Sequence, residues 1–198
     1  VKLALAADHA GFELKQSVGR MLAEAGHEIV DCGCHGIEQV DYLDPTLALV
    51  EQMVSGACER GICLCGNGYA MAMLANRFPG IRAAVCHDSF SARTVVEMGA
   101  ANVLSIGARV VGEELALELV EIWLASRFRS DVERYARRLE RLEALETELV
   151  VREWRAVLAR QARRGRRPGE SYRRRPQTQG EVGWADEATR RMIADEPW

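Results

Sequence analysis

Gly61-Ile62-Cys63-Leu64-Cys65-Gly66-Asn67-Gly68-Tyr69-Ala70-Met71 is the stretch that decides the fold. Ile62, Cys63, Leu64 and Cys65 form an apolar run long enough for one buried strand. Gly66-Asn67-Gly68 is a turn signal. From Tyr69 onward the chain is rich in alanine, methionine and leucine, which favour a helix. Strand, glycine turn and helix is the unit with which open α/β sheets bind ligands, at the carboxyl ends of their strands. Backbone N–H groups at a helix start can hold an anion. A thiol placed there ionises more readily, and the thiolate is the reactive form. The stretch therefore reads as a reaction centre, with Cys65 as base or nucleophile beside an anion hole. The plainer alternative is that Cys65 is a small buried hydrophobe and the turn only a turn.

Working outward, the same alternation recurs on both sides. Strands are expected over 2–7, 27–31, 62–65, 81–86 and 102–106, and helices over 12–25, 45–57, 69–77, 89–98 and 113–126. Gly26 ends the first helix. Pro45 suits the first turn of the second, with Asp44 as its cap. Strands that alternate with helices predict a five-stranded parallel sheet covered on both faces, a three-layer α/β/α fold. Beyond Asp131 the character changes. Val132, Tyr135, Leu139, Leu142, Leu145 and Leu149 recur every three or four residues between charged positions, which predicts an amphipathic helix. Such a stripe can pack across a subunit interface as readily as within one subunit. From about residue 165 the periodicity fails, and Arg166-Arg167-Pro168 to Arg173-Arg174-Arg175-Pro176 reads as a flexible basic segment. A nucleic-acid role for that run ranks second, because no recognition fold accompanies it. A short helix using Trp184, Ala188 and Met192 is expected over 182–198.

Composition narrows the function classes. The 198 residues are 48% hydrophobic and 28% charged with a net charge of -3, the profile of a globular protein with no general attraction to nucleic acid. No apolar run is long enough to span a membrane, and residues 1–7 already follow a strand pattern, not that of a signal peptide. A cytoplasmic protein is the default expectation. Cys32, Cys34, Cys58, Cys63, Cys65 and Cys86 make no Cys-x-x-Cys knuckle, and His35 and His87 complete no familiar ligand pattern, so no metal site is expected and the cysteines read as free thiols. Lysine occurs only at positions 2 and 15 while arginine is abundant, which looks like genome composition bias.

Several segments together resemble one family. Asp8-His9-Ala10-Gly11, Val40-Asp41-Tyr42, Cys65-Gly66-Asn67-Gly68, Ala75-Asn76-Arg77-Phe78-Pro79-Gly80-Ile81-Arg82-Ala83 and Asn102-Val103-Leu104-Ser105-Ile106-Gly107-Ala108-Arg109-Val110-Val111-Gly112 are similar to the ribose-5-phosphate isomerase B / galactose-6-phosphate isomerase family. The resemblance covers about residues 1–147 and leaves 148–198 as an extension. It implies a doubly wound sheet of order 2-1-3-4-5, and a homodimer or homotetramer with active sites between subunits. The implied reaction interconverts an aldose phosphate and a ketose phosphate without metal or organic cofactor. By the same resemblance Cys65 is the base that moves a proton between C1 and C2. Asp8, His9 and Tyr42 contact the sugar. Gly66, Asn67, Gly68, Tyr69 and Ala70 form the loop whose N–H groups hold the enediolate. Arg109 binds phosphate, with Arg134 and Arg138 as a further pair. These roles agree with the chemistry: enediolate formation needs a base and preorganised donors, and a phosphate dianion suits several arginines. Arg134 and Arg138 lie four apart on one helix face; the alternative for them is a solvated surface with Glu133 and Glu140.

Three positions depart from the family pattern. Met98-Gly99 replaces a His-Asn pair whose histidine is the expected acid for opening the sugar ring, and methionine transfers no proton. Gly99 thus stands at a substrate-contacting position. Asn67 occupies the place of a catalytic threonine, where it can hydrogen-bond but cannot relay a proton through a hydroxyl. Ala70 replaces a glycine and narrows the anion hole. Either the substrate is mostly open-chain, such as a tetrose phosphate, or His9 or His87 takes over ring opening. A non-catalytic phosphosugar sensor, or one subunit of a hetero-oligomer, is the reading from a different class. A thiol at the strand end favours an enzyme.

Overall fold

The structure, a computed structural model, describes residues 1–164. The basic run and the short helix expected over 182–198 lie outside the described residues. A first compact unit comprises Val1–Glu148, and a second begins at Leu149.

Five strands, β1 (Lys2–Ala7), β2 (Glu28–Asp31), β3 (Arg60–Cys65), β4 (Ala83–Val85) and β5 (Val103–Gly107), form one parallel sheet. Among the described residues six α-helices accompany them: α1 (Phe12–Glu24), α2 (Leu43–Val54), α3 (Tyr69–Ala75), α4 (Ser89–Gly99), α5 (Glu113–Ala125) and α6 (Glu133–Arg164). The three-layer α/β/α class holds, but the lateral order is β2-β1-β3-β5-β4, not the implied 2-1-3-4-5. Packing shows why. Ala92 and Val96 of α4 share a core with α1, α5, Ile62 and Leu64, while Leu49 and Val50 of α2 and Met71 and Ala75 of α3 share the opposite core with Cys63 and Cys65. Crossovers between parallel strands are right-handed, so a helix that changes face marks a reversal of direction along the sheet. The chain steps past one strand position with α3 and returns with α4, leaving β5 inside. Burial favours the same choice: every residue of β5 is buried, whereas β4 is partly exposed and tolerates the edge.

Two local corrections concern α2 and its start. The helix runs Leu43–Val54 and not 45–57, and Asp44 is not its cap. The Asp41 carboxylate instead accepts from the Leu43 N–H at 3.0 Å, and Thr46 donates its hydroxyl to the Tyr42 carbonyl at 2.6 Å. At the far end of the sheet, Arg60 ties off α5. Its guanidinium donates to the carbonyls of Trp123, Leu124 and Ser126 and lies 4.4 Å from the Trp123 ring centroid. These are carbonyls that a helix C-terminus leaves without partners. Among the described residues no helix is long and apolar enough to cross a membrane.

Candidate active site

The chain leaves β1 in both directions, to β2 on one side and β3 on the other. The crevice between their carboxyl ends is therefore a topological switch point. Asp8-His9 follows β1, Gly66-Asn67-Gly68 follows β3, and Ala108-Arg109 follows β5. Register brings them together, with Ala7 opposite Leu64 and Cys65 opposite Gly107.

Cys65 is buried, 1% exposed. Its Sγ accepts from the Gly68 N–H at 3.2 Å, and Asn67 Oδ1 lies 3.8 Å away as an acceptor for the thiol hydrogen. Asn67 Oδ1 also accepts from the Tyr69 N–H at 3.3 Å. The N–H groups of residues 66–70 are thus not all free for an oxyanion: Gly68 faces sulfur and Tyr69 faces Asn67. The N–H groups of Asn67 and Ala70 have no partner among the described residues. Gly68 has φ +86°, a left-handed conformation that glycine adopts without steric cost. A Cβ there would stand 2.9 Å from the Gly107 nitrogen. Gly107 in turn abuts the Asn67 carbonyl, so the floor of the site is backbone packed on backbone.

Arg109 is pinned from its own main chain. Its N–H donates to the Gly66 carbonyl at 3.0 Å, the Ala108 N–H to the Cys65 carbonyl at 2.8 Å, and the Arg109 side chain passes over Gly66. His87 accepts the Gly107 N–H on Nε2 at 2.9 Å, which leaves Nδ1 as its proton-bearing nitrogen.

Asp8, His9, Gln39, Val40, Asp41 and Tyr42 line an open cleft of about 530 Å³. The Asp8 carboxylate accepts the N–H groups of Ala10 and Gly11 at 2.9 and 3.0 Å and so caps the turn that carries His9. His9 Nδ1 lies 3.2 Å from the Val40 carbonyl and 3.4 Å from the Val40 N–H, donating to the first in its Nδ1–H tautomer or accepting from the second in the other, and among the described residues Nε2 has no backbone partner. Tyr42 is shared with a second cleft lined by Tyr69, Ala70, Met73 and Arg77. Val40 and Gln39 are contributors that the sequence reading did not assign a role; nothing in their chemistry signals it.

Three expected residues are not brought to Cys65 within one chain. Gly99 ends α4 beside Arg82, Ala101 and Leu142, at the amino end of β4 and β5. Helix α6 and the segment leading into it are anchored there too: the Arg129 N–H donates to the Glu97 carbonyl, Glu143 lies 3.9 Å from Arg82, and Glu146 accepts from the Gly80 N–H. Arg134 and Arg138 sit between these anchors, exposed, and Arg134 contacts the Tyr135 hydroxyl at 2.8 Å. Among the described residues no group of three metal-ligating side chains converges.

Comparison with known proteins matches this architecture. The ribose/galactose isomerase family model matches residues 3–142. Ribose-5-phosphate isomerase B of Escherichia coli is 37% identical over 145 residues, covering 73% of this chain and 96% of that protein. D-erythrulose-4-phosphate isomerase of Pectobacterium atrosepticum is 37% identical over 129 residues, 65% of this chain and 85% of that protein. A solved structure of Clostridium thermocellum ribose-5-phosphate isomerase B superposes with a TM-score of 0.72 at 42% identity, covering 75% of this chain and 99% of that one. Fold and matches together define an enzyme, a sugar-phosphate isomerase. The chain belongs to the ribose/galactose isomerase family.

Proposed function

We propose that the protein interconverts an aldose phosphate and its ketose, of the ribose 5-phosphate/ribulose 5-phosphate type, with Cys65 as the base. The observation that carries this reading is the sulfur at the end of β3, held by the Gly68 N–H at 3.2 Å beside the Asn67 and Ala70 N–H groups, which have no partner among the described residues. In the forward direction the Cys65 thiolate takes the proton from C2 of the open-chain aldose. The electron pair moves into the C1–C2 bond and the carbonyl oxygen becomes the enediolate oxyanion, facing the Asn67 and Ala70 N–H groups. The thiol then returns the proton to C1, and the hydroxyl proton of O2 passes to O1. A positioned base contributes about 10²–10⁴-fold, and fixed donors at the oxyanion add to it. The chemistry asks for no metal or cofactor. Asp8, His9 and Tyr42 would bind the sugar and Arg109 the phosphate.

Gly99, Arg134 and Arg138 can join this site only from a second copy of the chain, since their own chain places them at the opposite end of the sheet. We therefore assign them to the partner side of a homodimer or homotetramer, with residues 1–147 as the isomerase domain and 148–198 as an extension to it.

Met98 favours a narrower reading. It is 44% exposed and its thioether carries no proton to assist ring opening. Ribose 5-phosphate closes to a furanose through its free 4-hydroxyl. A tetrose 4-phosphate has that oxygen esterified, so it stays open and needs no such acid. The test is ketose formation from ribose 5-phosphate, allose 6-phosphate, galactose 6-phosphate and erythrose 4-phosphate, with Cys65→Ala as control. Cys65-dependent turnover of a pentose or hexose phosphate supports the first reading and turns attention to His87 and His9 as acids. Turnover confined to the tetrose supports the narrower one. Full activity in Cys65→Ala would refute both.

A further inference from the structure

Lys15 is a charged side chain in α1 that is 2% exposed, and the isomerisation makes no direct use of it. Its ammonium group donates to both Asp31 carboxylate oxygens at 2.6 and 2.8 Å and to the Cys34 carbonyl at 2.6 Å. Three protons meet three acceptors, so the buried charge is fully partnered. Asp31 also accepts the Gly33 N–H at 2.9 Å. The segment that follows β2 is stitched to the end of β1: the Ala7 N–H donates to the Gly33 carbonyl and the Cys34 N–H to the Ala7 carbonyl, both at 2.8 Å. The Cys34 thiol then donates to the Gly36 carbonyl at 3.3 Å. Ala7 is the residue before Asp8. Four residues beyond Gly36, Val40 grips His9 Nδ1, and Tyr42 follows as the cleft wall.

We propose that Lys15 is a positioning residue for substrate binding: paired with Asp31, it clamps the 31–36 strap from beneath, so that Val40 and Tyr42 hold the His9 ring and the sugar-binding wall in one geometry. Lys15 touches no substrate. A buried ion pair is weak support for a claim about stability, since apolar residues of equal volume often serve as well. Beyond Cys34, where the bonds to β1 end, the loop toward α2 has no ladder to fix its path. The clamp supplies fixed points at its start, and the His9–Val40 contact supplies another near its end.

The assignment rests on the isomerase reading only for its kinetic arm. The test uses the full chain carrying Lys15→Met, with Asp31→Asn as the milder companion, because Asp31 is half-exposed and Asn keeps one acceptor. Two readouts are taken. In the first, ¹⁵N NMR of the His9 ring nitrogens is compared with wild type; the expected result is loss of the single hydrogen-bonded signature in favour of the averaged pattern of a free imidazole. In the second, KM for the turned-over sugar phosphate rises about tenfold with kcat changed far less, the pattern of lost uniform binding. If Lys15→Met does not fold, Asp31→Asn carries both readouts. An unchanged His9 signature and KM, whatever the melting temperature does, would overturn the proposal and leave the pair a structural element only. If wild type turns over no phosphosugar, the isomerase reading has failed, and the His9 signature still decides the role of Lys15.

Discussion

Replacing Gly68 with alanine tests the backbone-built floor of the site directly. Gly68 has φ +86°, and a Cβ there would sit 2.9 Å from the Gly107 nitrogen, 3.1 Å from the Ile106 carbonyl carbon and 3.1 Å from Val85 Cγ1. The left-handed conformation costs an L-residue about 1–2 kcal/mol. Crowding against the β5 backbone, which cannot rotate away as a side chain can, adds about 1–3 kcal/mol. The expected loss is therefore about 2–5 kcal/mol, a large part of the roughly 5–15 kcal/mol that holds a domain folded. At about 2–4 °C per kcal/mol for a chain of this size, the melting temperature should fall by roughly 4–20 °C. Gly26→Ala is the matched comparison, since Gly26 has φ +79° but no atom within 4 Å of its Cβ position. It should lose only the conformational share, about 1–2 kcal/mol. Urea unfolding of both variants beside wild type measures the difference. If Gly68→Ala is no more costly than Gly26→Ala, the close-packed floor is not a real constraint. Activity should fall with it, because the Gly68 N–H is the donor on the Cys65 sulfur.

Three further outcomes are expected. Burial pushes the Asp31 carboxyl up, but the Lys15 hydrogen bond, the Gly33 N–H and the Lys15 charge outweigh it and hold the group below its ordinary value. The stabilisation this brings is complete above the unfolded value of about 3.9 and is lost as pH falls through the lower native value, so unfolding free energies of wild type and Asp31→Asn should converge below about pH 4 and stay parallel above about pH 5; a gap that widens in acid would contradict this. Burial pushes the Cys32 and Cys86 thiols up to about 11; iodoacetamide at neutral pH should label both slowly, with the rate climbing steeply in alkali, and mass spectrometry that found Cys32 labelled as fast as free cysteine would refute the assignment. Finally, Cys65→Ala chains and chains carrying Arg134→Ala and Arg138→Ala should each be inactive alone, and their co-expression should regain about a quarter of wild-type activity, because half of randomly mixed dimers are mixed and each mixed dimer holds one complete site of two; no regain would put the arginines in the same chain as the Cys65 they serve, and an arginine variant active by itself would place them outside the site.

The sequence displayed its elements wherever the hydrophobic period was strong. Residues 62–65 stood out as a strand, and α3, α4 and α5 begin at their expected starts, Tyr69, Ser89 and Glu113. The lateral place of β4 was not legible, because order across a sheet is set by which face each crossover helix covers, and Ala92 and Val96 do not announce their face. The start of α2 was missed for a simpler reason. Asp44-Pro45 reads as a cap followed by a first helical turn, but the chain is already helical at Leu43, whose N–H the Asp41 carboxylate holds. Lys15 gave no sign of burial either, since a lysine at a helix position usually faces water. The strand end at Cys65 and the glycine turn after it could be read because they depend on neighbours in sequence. The separation of Gly99, Arg134 and Arg138 from Cys65 could not, because it depends on the whole topology.

The floor of the site and its rim answer to different constraints. At Gly11, Gly68 and Gly107 an added methyl group would meet main-chain atoms, so neighbouring side chains cannot yield to admit it. Tyr69 and Met73, by contrast, are 56% and 64% exposed, and exchanges at such positions usually shift stability by only about 0.5 kcal/mol. A lineage can thus retool what the crevice accepts by drifting at the rim, one tolerated substitution at a time, while the backbone floor stays as it is. Selectivity is evolvable here without a stability crisis. That fits a scaffold found in relatives named for a five-carbon and for a four-carbon sugar phosphate.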